Sequence, residues 1–127
     1  MNKCFGLCRV SSESQSNNTS LKHQKQSIKR YVDYHQLELV DVISEVYSGM
    51  KSNRDSINQI KDLVDKKLCD TVIVMKLDRL MRSFSEGVVF IKYLLDNDVN
   101  IVSVTEEINT KTVSGRFYIN LICSLSN

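Results

Sequence analysis

The chain has 127 residues, 42% of them hydrophobic and 25% charged, with four glycines and no proline. That composition suits one compact domain with a full core and excludes collagen-like, disordered and disulfide-scaffold classes, as well as a second full domain. Seventeen Lys and Arg against fifteen Asp and Glu leave a net charge of +2, so any contact with a polyanion must be local.

The opening MNKCFGLCRV lacks the apolar length and small-residue cleavage site of a signal peptide, and no later run approaches the roughly 20 apolar residues that span a bilayer. A cytoplasmic protein is expected. KCFGLC reads as a first strand. If it is one, Cys4 and Cys8 stand about 13 Å apart at about 3.3 Å per residue, too far for a disulfide or a shared zinc. With Cys69 and Cys123 they read as reduced core thiols.

The polar stretch SSESQSNNTS follows as a loop. After it Leu21, Ile28, Tyr31 and Val32 recur at helical spacing, with Thr19 or Ser20 placed to cap. LELVDVI is the second strand, and Ile57, Ile60, Leu63, Val64 and Leu68 mark the second helix. TVIVM, apolar throughout, is expected at the centre of the sheet. Ser83 and Glu86 have the spacing of a capping box for a helix carrying Val88, Ile91, Leu94 and Leu95 toward Asn97. NIVSV is the fourth strand. A last helix begins near Ser114 and Gly115 without a stop signal. Its Phe117, Tyr118, Leu121, Ile122 and Leu125 exceed one packing stripe, which fits either a partner subunit or a buried terminal helix. Strands separated by such helices imply an α/β fold, a three-layer arrangement with a mainly parallel sheet and helices on both faces.

Ligands of such sheets bind beyond the carboxyl ends of the strands. The first strand delivers Arg9, Ser11 and Gln15 there, and the third delivers Lys76, Asp78, Arg79 and Arg82 in MKLDRLMRS. Neither segment is a glycine-rich phosphate loop. Both histidines, His23 and His35, fall on the first helix, and nothing ties either to Ser11 in a catalytic triad. What remains is a hydroxyl beside several guanidinium groups. Arginine stays charged and its planar fork matches phosphate oxygens, so this set suits phosphoryl transfer.

RVSSESQ after the first strand, Leu21-x-x-Gln24, SG followed by Arg54, KLDRLMRS, and TKTVSGRFYINLI together resemble the catalytic domain of serine recombinases, the resolvase/invertase family. The resemblance runs through the whole chain in the family's order. It implies a resolvase-like fold, with the last segment as the start of a long dimerisation helix.

It also implies a residue set. Ser11, rather than its neighbour Ser12, would attack a DNA phosphodiester and become a covalent 5′-phosphoserine. Arg9, Arg79 and Arg82 would hold the scissile phosphate, Arg54 would add charge, Asp78 would orient the arginines or handle a proton, and Gln24 would support them. No metal or other cofactor is implied, because the arginines supply the charge. Partners would be DNA and further copies of the chain, as a homodimer or tetramer of the full-length protein. The family pattern places residues 1–127 as the catalytic domain, with its last helix cut short and the DNA-binding domain absent. Two positions depart from the family: Leu7 replaces an aromatic residue, and Met81 replaces a small residue between two arginines. Two rival readings are a non-catalytic oligomerisation or regulatory module with the same fold, and a small phosphoryl-transfer enzyme acting on a nucleotide.

Overall fold

The computed structural model describes residues 3–11, 20–47, 56–81 and 83–125. In chain order these form β1 (Cys4–Ser11), α1 (Leu21–Tyr34), β2 (Leu39–Tyr47), α2 (Ser56–Asp65), β3 (Thr71–Val74), a 3-10 turn (Leu77–Leu80), α3 (Phe84–Asp96), β4 (Asn100–Ser103), β5 (Ile108–Asn109) and α4 (Val113–Ser124). The sheet order is β2-β1-β3-β4-β5, parallel except for the antiparallel β4–β5 pair. β3 is central, as its apolar sequence predicts. β5 was not legible in the sequence, because two residues are too few to set up an alternation.

Period-two alternation sends the strand residues to two cores. Cys4 and Cys8 of β1, Ile73 of β3 and Val102 of β4 pack with Ile28 and Val32 of α1 on one face. Phe5, Leu7, Val72, Val74 and Ile101 pack on the other face with residues of α2, α3 and α4. Three layers follow. Gly6 lets α1 approach closely, since a Cβ there would lie 3.2 Å from Cγ2 of both Ile28 and Val42.

Several boundaries differ from the sequence reading. β1 runs on to Ser11 and β2 to Tyr47, because each residue from Phe5 to Ser11 has a parallel partner from Asp41 to Tyr47. Ser11 is therefore the last strand residue rather than a loop residue. Leu68 lies beyond α2 and is exposed. There the Lys67 N–H donates to the Val64 carbonyl at 2.9 Å and the Leu68 N–H to the Leu63 carbonyl at 2.8 Å, the pattern that closes a helix around a left-handed residue. Lys67 takes that conformation with φ 61°, and Gln36 (φ 56°) and Asp98 (φ 60°) do the same after α1 and α3.

The helix starts follow the sequence closely. Ser20 caps α1 by accepting from the His23 N–H at 3.1 Å, and Ser83 caps α3 by accepting from the Glu86 N–H at 3.3 Å. α4 starts one residue earlier than expected, capped by Thr112, whose hydroxyl accepts from the Gly115 N–H at 3.0 Å. Ile119 and Cys123 of α4 are buried, while Val113, Phe117, Leu121 and Leu125 form an exposed stripe at four-residue spacing.

Candidate active site

The sheet order creates a natural ligand position. From β1 the chain crosses to β2 on one side, then returns past β1 to β3 on the other, so connections diverge between the carboxyl ends of β1 and β3. Such a switch point is where open α/β sheets bind ligands. β3 pairs with β1 only over Cys4–Gly6. Farther along, the Gln24 side chain serves Arg9's backbone: its Oε1 accepts from the Arg9 N–H and its Nε2 donates to the Arg9 carbonyl, both at 3.1 Å.

The Arg9 side chain is buried at 2% exposure, so its charge requires partners. Its Nε donates to Glu45 Oε1 at 3.2 Å, across the in-register β1–β2 pair. Its Nη1 donates to the Arg79 carbonyl at 3.1 Å, joining β1 to the 3-10 turn after β3. The same Glu45 oxygen accepts from the Ser56 N–H at 2.9 Å and the Ser56 hydroxyl at 2.7 Å, fixing the start of α2. Ser11 follows two residues after Arg9, on the same side of β1 by strand alternation, and is half-buried.

Arg79 lies in the turn with Nε 3.6 Å from Asp78 Oδ1, an ion pair with one mostly exposed partner. That Nε is buried and, among the described residues, has no hydrogen-bond partner. A buried guanidinium N–H in that condition suits an anionic ligand. Beside Arg9, a cavity of about 390 Å³ is lined by Asn58, Lys61, Leu80, Val89 and Phe90 among others.

The structure thus brings together Arg9, Gln24, Asp78 and Arg79, with Ser11 at the end of the same strand. Arg54 and Arg82, together with Ser12 and Gln15, lie outside the described residues. Glu45 and Ser56 were missed by the sequence reading. Glu45 is found only once β2 is extended past Ile43, which puts it opposite Arg9. His35 sits at the far end of α1, its ring 4.1 Å from that of Tyr31. The four cysteines are free and buried. Desolvation by burial pushes the Cys8 and Cys69 thiols up to about 11, so these groups are poor nucleophiles near neutral pH.

Met81 packs over Gly87, where a Cβ would come within 2.1 Å of Met81 Cγ. The bulky residue between the arginine positions is accommodated by the missing side chain on α3. Among the described residues no helix is long and apolar enough to cross a membrane, and no His, Cys, Asp and Glu cluster could hold a metal ion.

The sequence profile of the family described as "Resolvase, N terminal domain" matches residues 4–127. The chain belongs to the resolvase N-terminal domain family. Among its relatives is a DNA-invertase of Escherichia phage P1, 33% identical over 85 residues, which are 67% of this chain and 45% of the invertase. The Transposon Tn917 resolvase of Enterococcus faecalis is 28% identical over 122 residues, 96% of this chain and 60% of that protein. The chain therefore spans about half the length of these relatives. The solved N-terminal catalytic domain of TP901-1 integrase superposes with a TM-score of 0.84 at 25% identity, covering 96% of this chain and 92% of that one. The resolvase-like α/β fold expected from the sequence is the fold observed.

Proposed function

We propose that this chain is the catalytic domain of a serine site-specific recombinase, which cleaves and rejoins DNA strands through a 5′-phosphoserine on Ser11. The observation that carries the reading is the junction of β1 with the 3-10 turn. There buried Arg9 is tied to Glu45 and to the Arg79 carbonyl, two residues before Ser11, and Arg79 Nε has no hydrogen-bond partner among the described residues.

The Ser11 oxygen attacks the phosphorus as its proton leaves, the bond from phosphorus to the 3′ oxygen breaks, and that oxygen is protonated to a free hydroxyl. A phosphodiester is exchanged for a phosphodiester, so the bond is kept for reversal by a 3′-hydroxyl of the same or another strand. Arg79, with Arg82 and Arg54 assigned from the family pattern, stabilises the added charge of the pentacoordinate phosphate. Arg9, held rigidly, orders the site and adds positive potential. Asp78 orients Arg79 or carries a proton. Four arginines supply this charge, so adduct formation should survive EDTA. The stripe Val113, Phe117, Leu121 and Leu125 is read as the face that meets a second copy.

The test is a suicide-nicked DNA substrate incubated with the full-length protein, followed by peptide mapping of the trapped adduct. DNA is expected on Ser11, and S11A should form none. An adduct on Ser12, or undiminished cleavage by S11A, overturns the assignment; no adduct at all favours the non-catalytic module.

A further inference from the structure

The 3-10 turn that carries Asp78 and Arg79 starts without a cap of its own: Lys76, the residue before it, makes no side-chain capping bond. The first N–H groups of any helical turn lack partners within it. Here the missing acceptor comes from 29 residues away, where Glu106 Oε1 accepts from the Leu77 N–H at 2.9 Å. The same oxygen accepts from the hydroxyl of Ser103, a fully buried residue at the end of β4.

Neighbouring bonds align the two segments. The Val104 N–H donates to the Val74 carbonyl and the Thr105 N–H to the Met75 carbonyl, both at 3.0 Å. The Thr105 hydroxyl donates to that same Met75 carbonyl at 2.9 Å. The connection between β4 and β5 thus continues the β3–β4 ladder past the end of β3 and grips the chain as it enters the turn. Among these bonds only the one from the Leu77 N–H to Glu106 reaches the turn itself.

We infer that Glu106 is a positioning residue for the active site, fixing the backbone of Leu77 and through it Arg79. This rests on the recombinase reading for its catalytic consequence. The structural link does not. Glu106 is an exposed residue whose Oε1 is engaged by two donors, so it holds the turn without belonging to the core. Arg79 lies two residues beyond the capped position. Its carbonyl receives Arg9 Nη1, so a shift of the turn moves Arg79 and strains its bond to the fixed Arg9.

Two readouts test it. In this chain, NMR follows hydrogen exchange at the Leu77 amide and the Nε–H resonance of Arg79. E106A should speed Leu77 exchange at least about tenfold and move the Arg79 signal. E106Q keeps an amide oxygen for both donors and should stay near the wild type. In the full-length protein, adduct formation should slow about 10–100-fold for E106A, the scale set by sub-ångström to ångström misplacement, with DNA affinity unchanged. E106Q should recover most of the rate.

The inference is overturned if E106A leaves both NMR signals unmoved, or if E106Q behaves as E106A. It is also overturned if the signals move while adduct formation keeps its rate. If the wild-type protein forms no adduct, the recombinase reading fails, and the structural link is decided by the NMR signals alone. Should E106A fail to fold, E106D replaces it: its carboxylate, one methylene shorter, should speed Leu77 exchange and move the Arg79 signal while E106Q does not, and wild-type signals in E106D overturn the inference.

Discussion

Adding one methyl group at Gly87 tests how the chain accommodates Met81. In an ordinary helix Gly→Ala stabilises by about 0.5–1 kcal/mol, because glycine loses more backbone freedom on folding. Here the new Cβ would meet Met81 Cγ at 2.1 Å, Met81 Cβ at 2.7 Å and Met81 Sδ at 2.9 Å. Carbon atoms pack best near 3.5–4.0 Å. Rotating the Met81 side chain relieves the clash with Cγ and Sδ but not with Cβ, which is fixed to the backbone. The segment joining the 3-10 turn to α3 must therefore move. Overpacking of this kind costs about 1–3 kcal/mol, so G87A should lower stability by about 0.5–2 kcal/mol. In an M81G background the obstructing atoms are gone, and G87A should instead stabilise by up to about 1 kcal/mol. Urea denaturation of the four proteins closes the cycle, with an expected coupling of about 1–3 kcal/mol, the overpacking cost itself. A stabilising effect of G87A beside Met81, or the same effect in both backgrounds, refutes the packing argument.

Removing Glu45 takes from buried Arg9 its carboxylate partner and from Ser56 the acceptor of both its donors, so E45A should destabilise by up to about 3–5 kcal/mol in urea denaturation, with E45Q milder. R9K should also fail, since one ammonium cannot reproduce the fork that meets both Glu45 and the Arg79 carbonyl; wild-type stability in R9K would refute that role. Gln36 and Lys67 occupy left-handed positions, so Q36G and K67G should each stabilise by up to about 1 kcal/mol, read as a rise in Tm of a few degrees. The raised Cys8 and Cys69 thiols stay neutral in the fold while their unfolded counterparts ionise near the ordinary value of 9.0. Stability from them is complete below pH 9 and declines as pH rises from about 9 to 11; it should be lost there less steeply when both are replaced by alanine.

Helix starts were legible because side chains make them. Ser20 and Ser83 occupy their caps as the sequence suggests, and the apolar stripes fixed which faces are buried. Helix ends were less legible. α1, α2 and α3 close around Gln36, Lys67 and Asp98 instead of glycine, so the usual stop signal is missing. Strand ends were obscured for another reason: in β1 and β2 the apolar pattern gives way to Arg9, Ser11, Ser44 and Glu45 while the ladder continues. These polar residues are where the candidate site lies. A pattern that searches for hydrophobic strands stops at the point where a functional residue replaces a core residue.

That overlap follows from the energetics of Arg9. A guanidinium at 2% exposure is a poor choice for stability alone, since its desolvation cost can exceed what its partners return. Its partners, however, come from separate parts of the chain: Glu45 from β2, the Arg79 carbonyl from the 3-10 turn, and Gln24 from α1 through Arg9's own backbone. An apolar residue could fill the same volume without joining these segments. The charged residue ties them at the point where β1 and β3 separate, and Glu106 holds the start of the turn at the Leu77 N–H. Under the proposed function, the backbone of Arg79 is therefore set before a DNA phosphate arrives. A site that must stabilise a short-lived increase in negative charge gains most from donors that need no rearrangement at that moment. Under the proposed function the polar network is the framework of the reaction centre, and the two apolar cores on either side of the sheet hold the strands on which it is assembled.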